Sequence, residues 1–491
     1  MKTKLMAMCV TAAVTVCAQV ASANSYTLLS HVGDDSYIMP SIAYDSASGQ
    51  YNVTFIEARN YHIFGGPGGF GWVGTLYAGT MVEQSPGNFT LTKDDCTGLG
   101  PVLVGTDNPG GYYHPGDPHH HWHNPRHRMI GFARPYRRGN MIAWTHFGCA
   151  PIVEYYDFST STHGCVFTGS TVHGPGWGRA VNARVSGKAI SYWLYTLHPD
   201  AGIPGWHMKI ANTDDPAGDQ IMIDEFTPEA DTYPHWGKFV QFARSGDIYA
   251  ESSAEGRVVL TMTMPGWGGD PYAPRGVFWG RYNFVDGAAT INTEPIWEGP
   301  PDMHIASIVM SEKYVVWQEG GEPLPPPGAP DPDWINYSER LADFPVSYLT
   351  AANWVPEQGP SEEYPEGQEE HYQLIDFGGE ALMTQEPALF GQYLVYTDID
   401  AKRILMVDLA NLEEDPENEW DWKYQVLVEI EDGELGYPAV WVDQNTGRYV
   451  VLYQSSGSPD DLMVATNIPE PATIALLAVG GAFALLRRRR P

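Results

Sequence analysis

Cationic side chains are scarce in this chain. Its 491 residues hold 28 Lys+Arg against 60 Asp+Glu, a formal net charge of −32. So acidic a surface repels nucleic acid and anionic membranes, which excludes both as partners. Cysteine is nearly absent too. Beyond Cys9 and Cys17 in the first apolar run, only Cys96, Cys149 and Cys165 remain. None sits beside a motif that would activate a thiol, which excludes cysteine catalysis. No long window repeats apolar residues at i, i+3, i+4 and i+7, which excludes a helical bundle. No G-x-S-x-G elbow, P-loop or dinucleotide fingerprint occurs. The S-x-D-x-G-x-x-W box of sialidases is missing as well.

Long apolar runs are confined to the two ends. At the start, Lys2 and Lys4 precede a run from Leu5 to Val20 and the small-residue site Ala21-Ser22-Ala23. This pattern predicts a secretory signal peptide over 1–23, cut after Ala23. At the other end, Pro469-Glu470-Pro471 precedes an apolar run from Ala472 to Leu486 and then Arg487 to Arg490. The run is short for a membrane span, and the arginines would hold its flank in the cytoplasm. The tail over 469–491 resembles the PEP-CTERM sorting signal of Gram-negative envelopes. That resemblance implies a short hydrophobic sorting helix, transient inner-membrane anchoring and a membrane sorting protease as partner. The mature part is then 24–468, exported to the envelope or beyond. Export permits disulfides, and Cys149 and Cys165 flank a strand–turn–strand pattern that would bring them together.

Glycine (52), proline (39) and aromatics (12%) are plentiful between these ends. Short β-branched and aromatic runs are bounded by Gly, Pro, Asn and Asp, which predicts an all-β protein of short strands. Two segments repeat one pattern. "PSIAYDSASGQYNVTF" begins at Pro40 and "PAVWVDQNTGRYVVLY" at Pro438. Both read P-x-(I/V)-x-x-D-x-x-x-G-x-Y, a strand, a tight turn with Gly at positive φ, and a returning strand. Looser copies lie at 128–147, 180–193, 236–252, 304–319 and 387–398. Seven hairpins at irregular spacing predict a β-propeller of seven blades, with six or eight open. The Pro40 and Pro438 hairpins should then be neighbours that close the ring. The Pro-rich 319–334 and the acidic 356–371 and 413–422 read as surface loops, the last a weak calcium candidate.

One stretch runs against the overall charge. Residues 114–138, "HPGDPHHHWHNPRHRMIGFARPYRR", hold six of the 16 histidines and five arginines, with Asp117 as the single acid. Guanidinium groups bind carboxylate and sulfate through paired hydrogen bonds, so this local excess points to an anionic ligand. His119, His121 and His123 fall on one side of an extended chain and could hold a divalent metal, zinc above all. A His-rich metal-binding protein is therefore one reading.

The His-Asn-Pro run at 123–125, followed by "AWTHF" ending a second strand at His146, resembles the BNR-repeat propellers that include ulvan lyases. That resemblance implies a seven-bladed fold and β-elimination on uronic-acid polysaccharides. By position, Arg179 would neutralise the uronate, His123 or His146 would be the base and Tyr192 the acid. His235, His304, Arg126 and Asn182 would complete the substrate rim. All should converge on one mouth of the channel as a positive patch. A non-catalytic propeller that binds glycan or scaffolds a surface remains the alternative.

Overall fold

In the computed structural model, residues 24–30, 35–62, 70–95, 102–106, 129–130, 136–147, 151–168, 179–197, 204–218, 220–225, 245–263, 275–298, 304–320, 347–360, 367–381, 387–398, 402–412, 424–431, 434–456 and 461–467 are described. They form seven antiparallel blades. The first strand, β1 (Asn24–Leu29), belongs to the last blade. Blade 1 is β2 (Asp35–Asp45), β3 (Gln50–His62), β4 (Phe70–Ser85) and β5 (Asn88–Asp95). Two bridging strands follow, β6 (Val102–Thr106) and β7 (Met129–Ile130). Blade 2 is β8 (Tyr136–Arg138), β9 (Met141–Phe147), β10 (Pro151–Asp157) and β11 (Thr162–Thr168). Blade 3 is β12 (Arg179–Ser186), β13 (Ala189–Leu197), β14 (Pro204–Asn212) and β15 (Ile221–Glu225). Blade 4 is β16 (Gly246–Ala250), β17 (Glu255–Thr263), β18 (Arg275–Asn283) and β19 (Ala288–Ile291), with β20 (Trp297–Glu298) also on β18. Blade 5 is β21 (His304–Met310), β22 (Tyr314–Gly320), β23 (Ser347–Val355) and β24 (His371–Ala381). Blade 6 is β25 (Ala388–Phe390), β26 (Tyr393–Asp398), β27 (Arg403–Asp408) and β28 (Gln425–Glu429). Blade 7 is β29 (Glu434–Asp443), β30 (Arg448–Ser456), β31 (Asp461–Thr466) and β1.

The ring is closed by sequence ends that meet. β1 pairs antiparallel with β31, so the N-terminal strand completes the C-terminal blade. The inner strands β2 and β29 also touch, as expected of the Pro40 and Pro438 hairpins. Closure of this kind leaves no open end between the first and last blades, which limits edge pairing with other chains.

Side-chain periodicity explains why the blades stack. Along β30, Val450 and Leu452 pack towards blade 1, while Tyr449, Val451 and Tyr453 pack towards blade 6. Alternate residues face opposite sides of a strand, so an almost continuous apolar run is buried on both faces. One such core lies at each of the seven blade junctions. The junction of blades 1 and 2 has only five buried apolar residues among those described, against 13 between blades 6 and 7. There the backbone supplies the tie: β6 pairs with β4 on one side and, in parallel, with β7 on the other. β7 pairs with β9 in turn, so the two blades share one sheet.

Six of the seven expected hairpins are inner pairs of blades. The fourth is displaced by one strand. The segment 236–252 reads as a whole hairpin, but Gly246 opens β16 and the hairpin turns at 251–254. Gly246 is needed for close packing: a Cβ there would lie 3.1 Å from the Val259 carbonyl oxygen and 3.2 Å from the Met208 methyl. Residues 236–244, the 413–422 loop, the expected signal peptide and the tail from 468 lie outside the described residues. So does Cys149, the expected partner of Cys165. Among the described residues no helix is long and apolar enough to cross a membrane.

Candidate functional site

The inner strands give the ring two unlike ends. At the lower end, inner hairpins turn in two to four residues. Gly49 and Gly447 there have φ of 70° and 67°, as the repeated motif demands. Asp45 and Asp443 hold these turns through Ser48 and Thr446 and the backbone amides of Ala47 and Asn445. At the upper end, the inner strands of blades 1, 3, 5 and 7 each carry a β-bulge. The register slips between Ile38 and Ser41, Val181 and Arg184, Ile305 and Ile308, and Gly436 and Ala439. Met39, Asn182 and Tyr437 occupy positive φ at three of them. Pro40 and Pro438 follow two of these residues. A proline without an N–H suits a bulge, where a ladder bond is already missing. The repeat thus encodes a kink as well as a turn.

Beyond the bulges lies the rim where ligand binding was expected. Arg179 is the first residue of β12 and His304 the first of β21. His146 is near the end of β9, opposite Ile130 and Ile152. Inner strands run the same way around a propeller and their neighbours run back, so these three backbone positions share the upper end. His119, His121, His123, Arg126 and His235 lie outside the described residues. Among the described residues there is no cluster of His, Cys, Asp or Glu able to hold a metal.

Asn182 stands at the β12 bulge with φ 55° and is half-buried. One expectation needs correction. Tyr192 is not on the rim. Its ring is fully buried in the core between blades 2 and 3. Its hydroxyl donates to Gln220 Oε1, and Gln220 Nε2 donates to the Val166 carbonyl at 2.6 Å. Burial pushes the Tyr192 pKa well above that of an ordinary phenol. A proton held this way cannot serve a leaving group at the mouth.

The arginine enrichment has a partly structural explanation. Arg137 and Arg138 belong to the lower half, not to the rim. The Arg137 guanidinium lies 4.0 Å from the Phe158 ring centre, and its Nε donates to the Gly139 carbonyl at 3.1 Å. Arg138 reaches out of blade 2 and past blade 3. It donates to Asp247 Oδ2 at 2.9 Å and to the carbonyls of Ile248 in blade 4 and Met310 in blade 5. Only a side chain crossing the channel can join these inner strands. Tyr136 follows the same path, donating to Asp247 Oδ2 at 2.9 Å, with Arg184 of blade 3 over its ring. The Met310 amide donates to Oδ2 and the Ile248 amide to Oδ1, each at 2.8 Å. Burial opposes the Arg138 charge most strongly of any one cause, but Asp247 and Tyr136 together outweigh it and raise its pKa. Burial raises the Tyr136 pKa as well, so that phenol stays neutral. The lower channel is therefore tied by an ion pair whose carboxylate is fully buried and whose guanidinium is partly so, while the rim stands above it. Sequence reasoning missed Asp247, whose partner is 109 residues away along the chain.

The known structures that align with this chain do so distantly. An oligogalacturonate lyase in complex with manganese aligns over 89% of this chain and 99% of its own, at 8% identity and a TM-score of 0.38. The Pyrococcus horikoshii acylaminoacyl peptidase aligns over 88% of this chain and 51% of its own, at 9% identity and a TM-score of 0.40. A Trypanosoma rangeli sialidase in complex with the inhibitor DANA aligns over 90% and 59%, at 7% identity and a TM-score of 0.36. No curated protein matches the sequence. Residues 467–490 do match the PEP-CTERM protein-sorting motif, so the chain is a seven-bladed β-propeller carrying an export and envelope-sorting signal.

Proposed function

We propose that this exported propeller takes an anionic, uronic-acid polysaccharide at its upper rim. The observation that carries the reading is the common end of Arg179, His146 and His304 in an otherwise acidic molecule. A guanidinium there pairs with the uronate carboxylate. Distant surface carboxylates are screened over about 8 Å at physiological salt, so the local cations govern encounter. The Arg138–Asp247 pair supports entry from above, because it occupies the channel below.

Elimination is the catalytic form of this reading. Arg179 neutralises the carboxylate, which makes the adjacent C5–H acidic. His123 or His146 removes that proton, a task suited to an imidazole. The electron pair forms the C4=C5 double bond and the C4–O bond breaks. The leaving oxygen takes a proton from a rim histidine such as His304, since Tyr192 is committed to Gln220. Purified protein incubated with a panel of uronic-acid polysaccharides should develop the ultraviolet absorbance of an unsaturated uronate. The double variant His123→Ala/His146→Ala should abolish it while retaining binding.

The burial of Tyr192 favours a second reading, glycan binding without cleavage. In that case wild type and the double variant both bind, and neither yields unsaturated product. Sorting by a membrane protease at the PEP-CTERM motif fits either reading. A divalent metal at His119, His121 and His123 would raise affinity for the same carboxylates, and metal analysis of purified protein tests it.

A further inference from the structure

The lower end carries a second feature that the rim reading does not use. A cavity of about 400 Å³ opens where the inner hairpins of blades 6, 7 and 1 come together. Its size falls in the roughly 300–1,000 Å³ range of small-ligand sites. Tyr44, Tyr51 and Trp441 form one wall, with Phe390 alongside. Glu83, Asp443, Gln444 and Arg448 supply polar groups around it.

We propose that this cavity is a subsite for a neutral pyranose residue of a glycan. Three observations carry the assignment. The first is the arrangement of the rings. Tyr44 and Trp441 lie 4.8 Å apart between centres, Tyr44 and Tyr51 5.0 Å, and Tyr51 and Trp441 5.2 Å. Rings this close touch one another, so no cation fits between them as in an aromatic cage. They are inclined by 41° to 80° to one another, so Trp441 and the buried Tyr51 brace Tyr44 rather than share a plane with it. Tyr44, 38% exposed, is the open ring, and the C–H face of a pyranose stacks on such a surface.

The second observation is charge. Two carboxylates face one guanidinium, and that guanidinium is already paired: Arg448 Nη2 donates to Glu83 Oε2. Glu83 Oε1 also accepts from the Gly87 amide at 2.8 Å. Asp443 is held ionised by the Thr446 hydroxyl and the Asn445 amide, which lower its pKa. An anionic sugar therefore meets a net negative lining. Hydroxyl groups, which both donate and accept, match a carboxylate beside an arginine.

The third observation is how the wall is built. Gly391, at φ 58°, ends the blade 6 strand where a Cβ would lie 2.4 Å from Gln444 Nε2. Glycine at this point lets the blade 7 amide lie against the blade 6 turn. The cavity thus exists only in the closed ring, since its lining comes from the first blade and the last two.

The test uses purified exported protein and three neutral probes: β-linked glucan, mannan and xylan hexasaccharides. Binding is followed by tryptophan fluorescence, because Trp441 is in the wall, and by calorimetry. Saturable binding of at least one probe is expected. Tyr44→Ala should weaken it about tenfold, as loss of a stacking face implies, and Tyr44→Phe should keep it. Equal melting temperatures for both variants show that the fold is intact. Oligogalacturonate and tetramethylammonium serve as charged probes. Failure of all three neutral probes overturns the proposal. So does Tyr44-dependent binding of either charged probe in preference to them. The rim reading stands or falls separately, because Arg179→Ala should leave neutral-sugar binding unchanged.

Discussion

The two ends of the ring solve different problems. At the lower end the first two strands of each blade are joined by turns of two to four residues, held in blades 1 and 7 by Asp and Gly at fixed offsets. At the upper end, the second and third strands of each blade are separated by three to 26 residues, and four inner strands are kinked by bulges. The lower end is also tied across the channel by Arg138 and Asp247. Short inner turns below and varied connections above are what a scaffold for a ligand site on the channel mouth requires. The comparison teaches that cation content is a poor guide by itself. Within residues 114–138, the final arginines serve the scaffold, and only the part nearer His123 and His146 can serve the rim.

The sharpest way to break this comparison is to remove Asp247. Its carboxylate is fully buried and takes four donors, so Asp247→Ala leaves Arg138 without its counter-charge. The expected loss is about 3–5 kcal/mol, the usual result of breaking a buried pair. Denaturant unfolding measures it. A loss below about 1 kcal/mol would mean the channel tie contributes little.

Alkaline titration probes the blade cores next. Burial raises the pKa values of Tyr51, Tyr372 and Tyr449 to about 12 from 10.0. The unfolded chain therefore ionises first as pH rises. The stability these neutral phenols contribute is complete below pH 10 and is lost as pH climbs towards 12. Unfolding followed by tryptophan fluorescence should show its midpoint fall across that window. An unchanged stability from pH 9 to about 12 would contradict the buried placement.

A smaller effect sharpens the turn assignment. Nothing lies within 4 Å of a Cβ added at Gly447, so Gly447→Ala meets no clash and costs only its positive φ. About 1–2 kcal/mol is expected, and Gly447→Asn should cost less, since Asn tolerates this region. Equal losses for both would point to packing instead.

Legibility in the sequence divides along the same line as the two ends. The Pro40 and Pro438 motif was readable because its information is local: a proline at a bulge, an aspartate that folds back on the next amides, a glycine at positive φ. The blade count followed from its repetition. The hairpin at 236–252 is displaced by one strand for a physical reason: Gly246 serves close packing in β16, and a single sequence does not separate that from a turn. The tie that Arg138 and Tyr136 make was not legible because their partner Asp247 is distant along the chain. Tyr192 read as accessible because alternation tells which residues share a face, not which face is buried. In a blade packed on both sides, the two faces look alike. The histidine stretch itself, from His119 to His127, lies outside the described residues, so the rim reading rests on function tests.

The least disruptive change separates core from rim at Tyr192. Tyr192→Phe removes one hydroxyl and keeps the ring, which packs against Phe167 at 5.6 Å between centres. Gln220 loses the donor to its Oε1 but keeps its bond to the Val166 carbonyl. About 1 kcal/mol of stability should go, the ordinary worth of a side-chain hydrogen bond with a partner left unsatisfied. Uronate binding, and any turnover, should be unchanged, because the phenol is sealed between blades 2 and 3. The double variant at His123 and His146 is the matched opposite, expected to lose turnover with the melting temperature intact. If instead Tyr192→Phe lowered turnover at unchanged stability, the hydroxyl would reach substrate. The core placement of β13 would then be the part of the structure to revise.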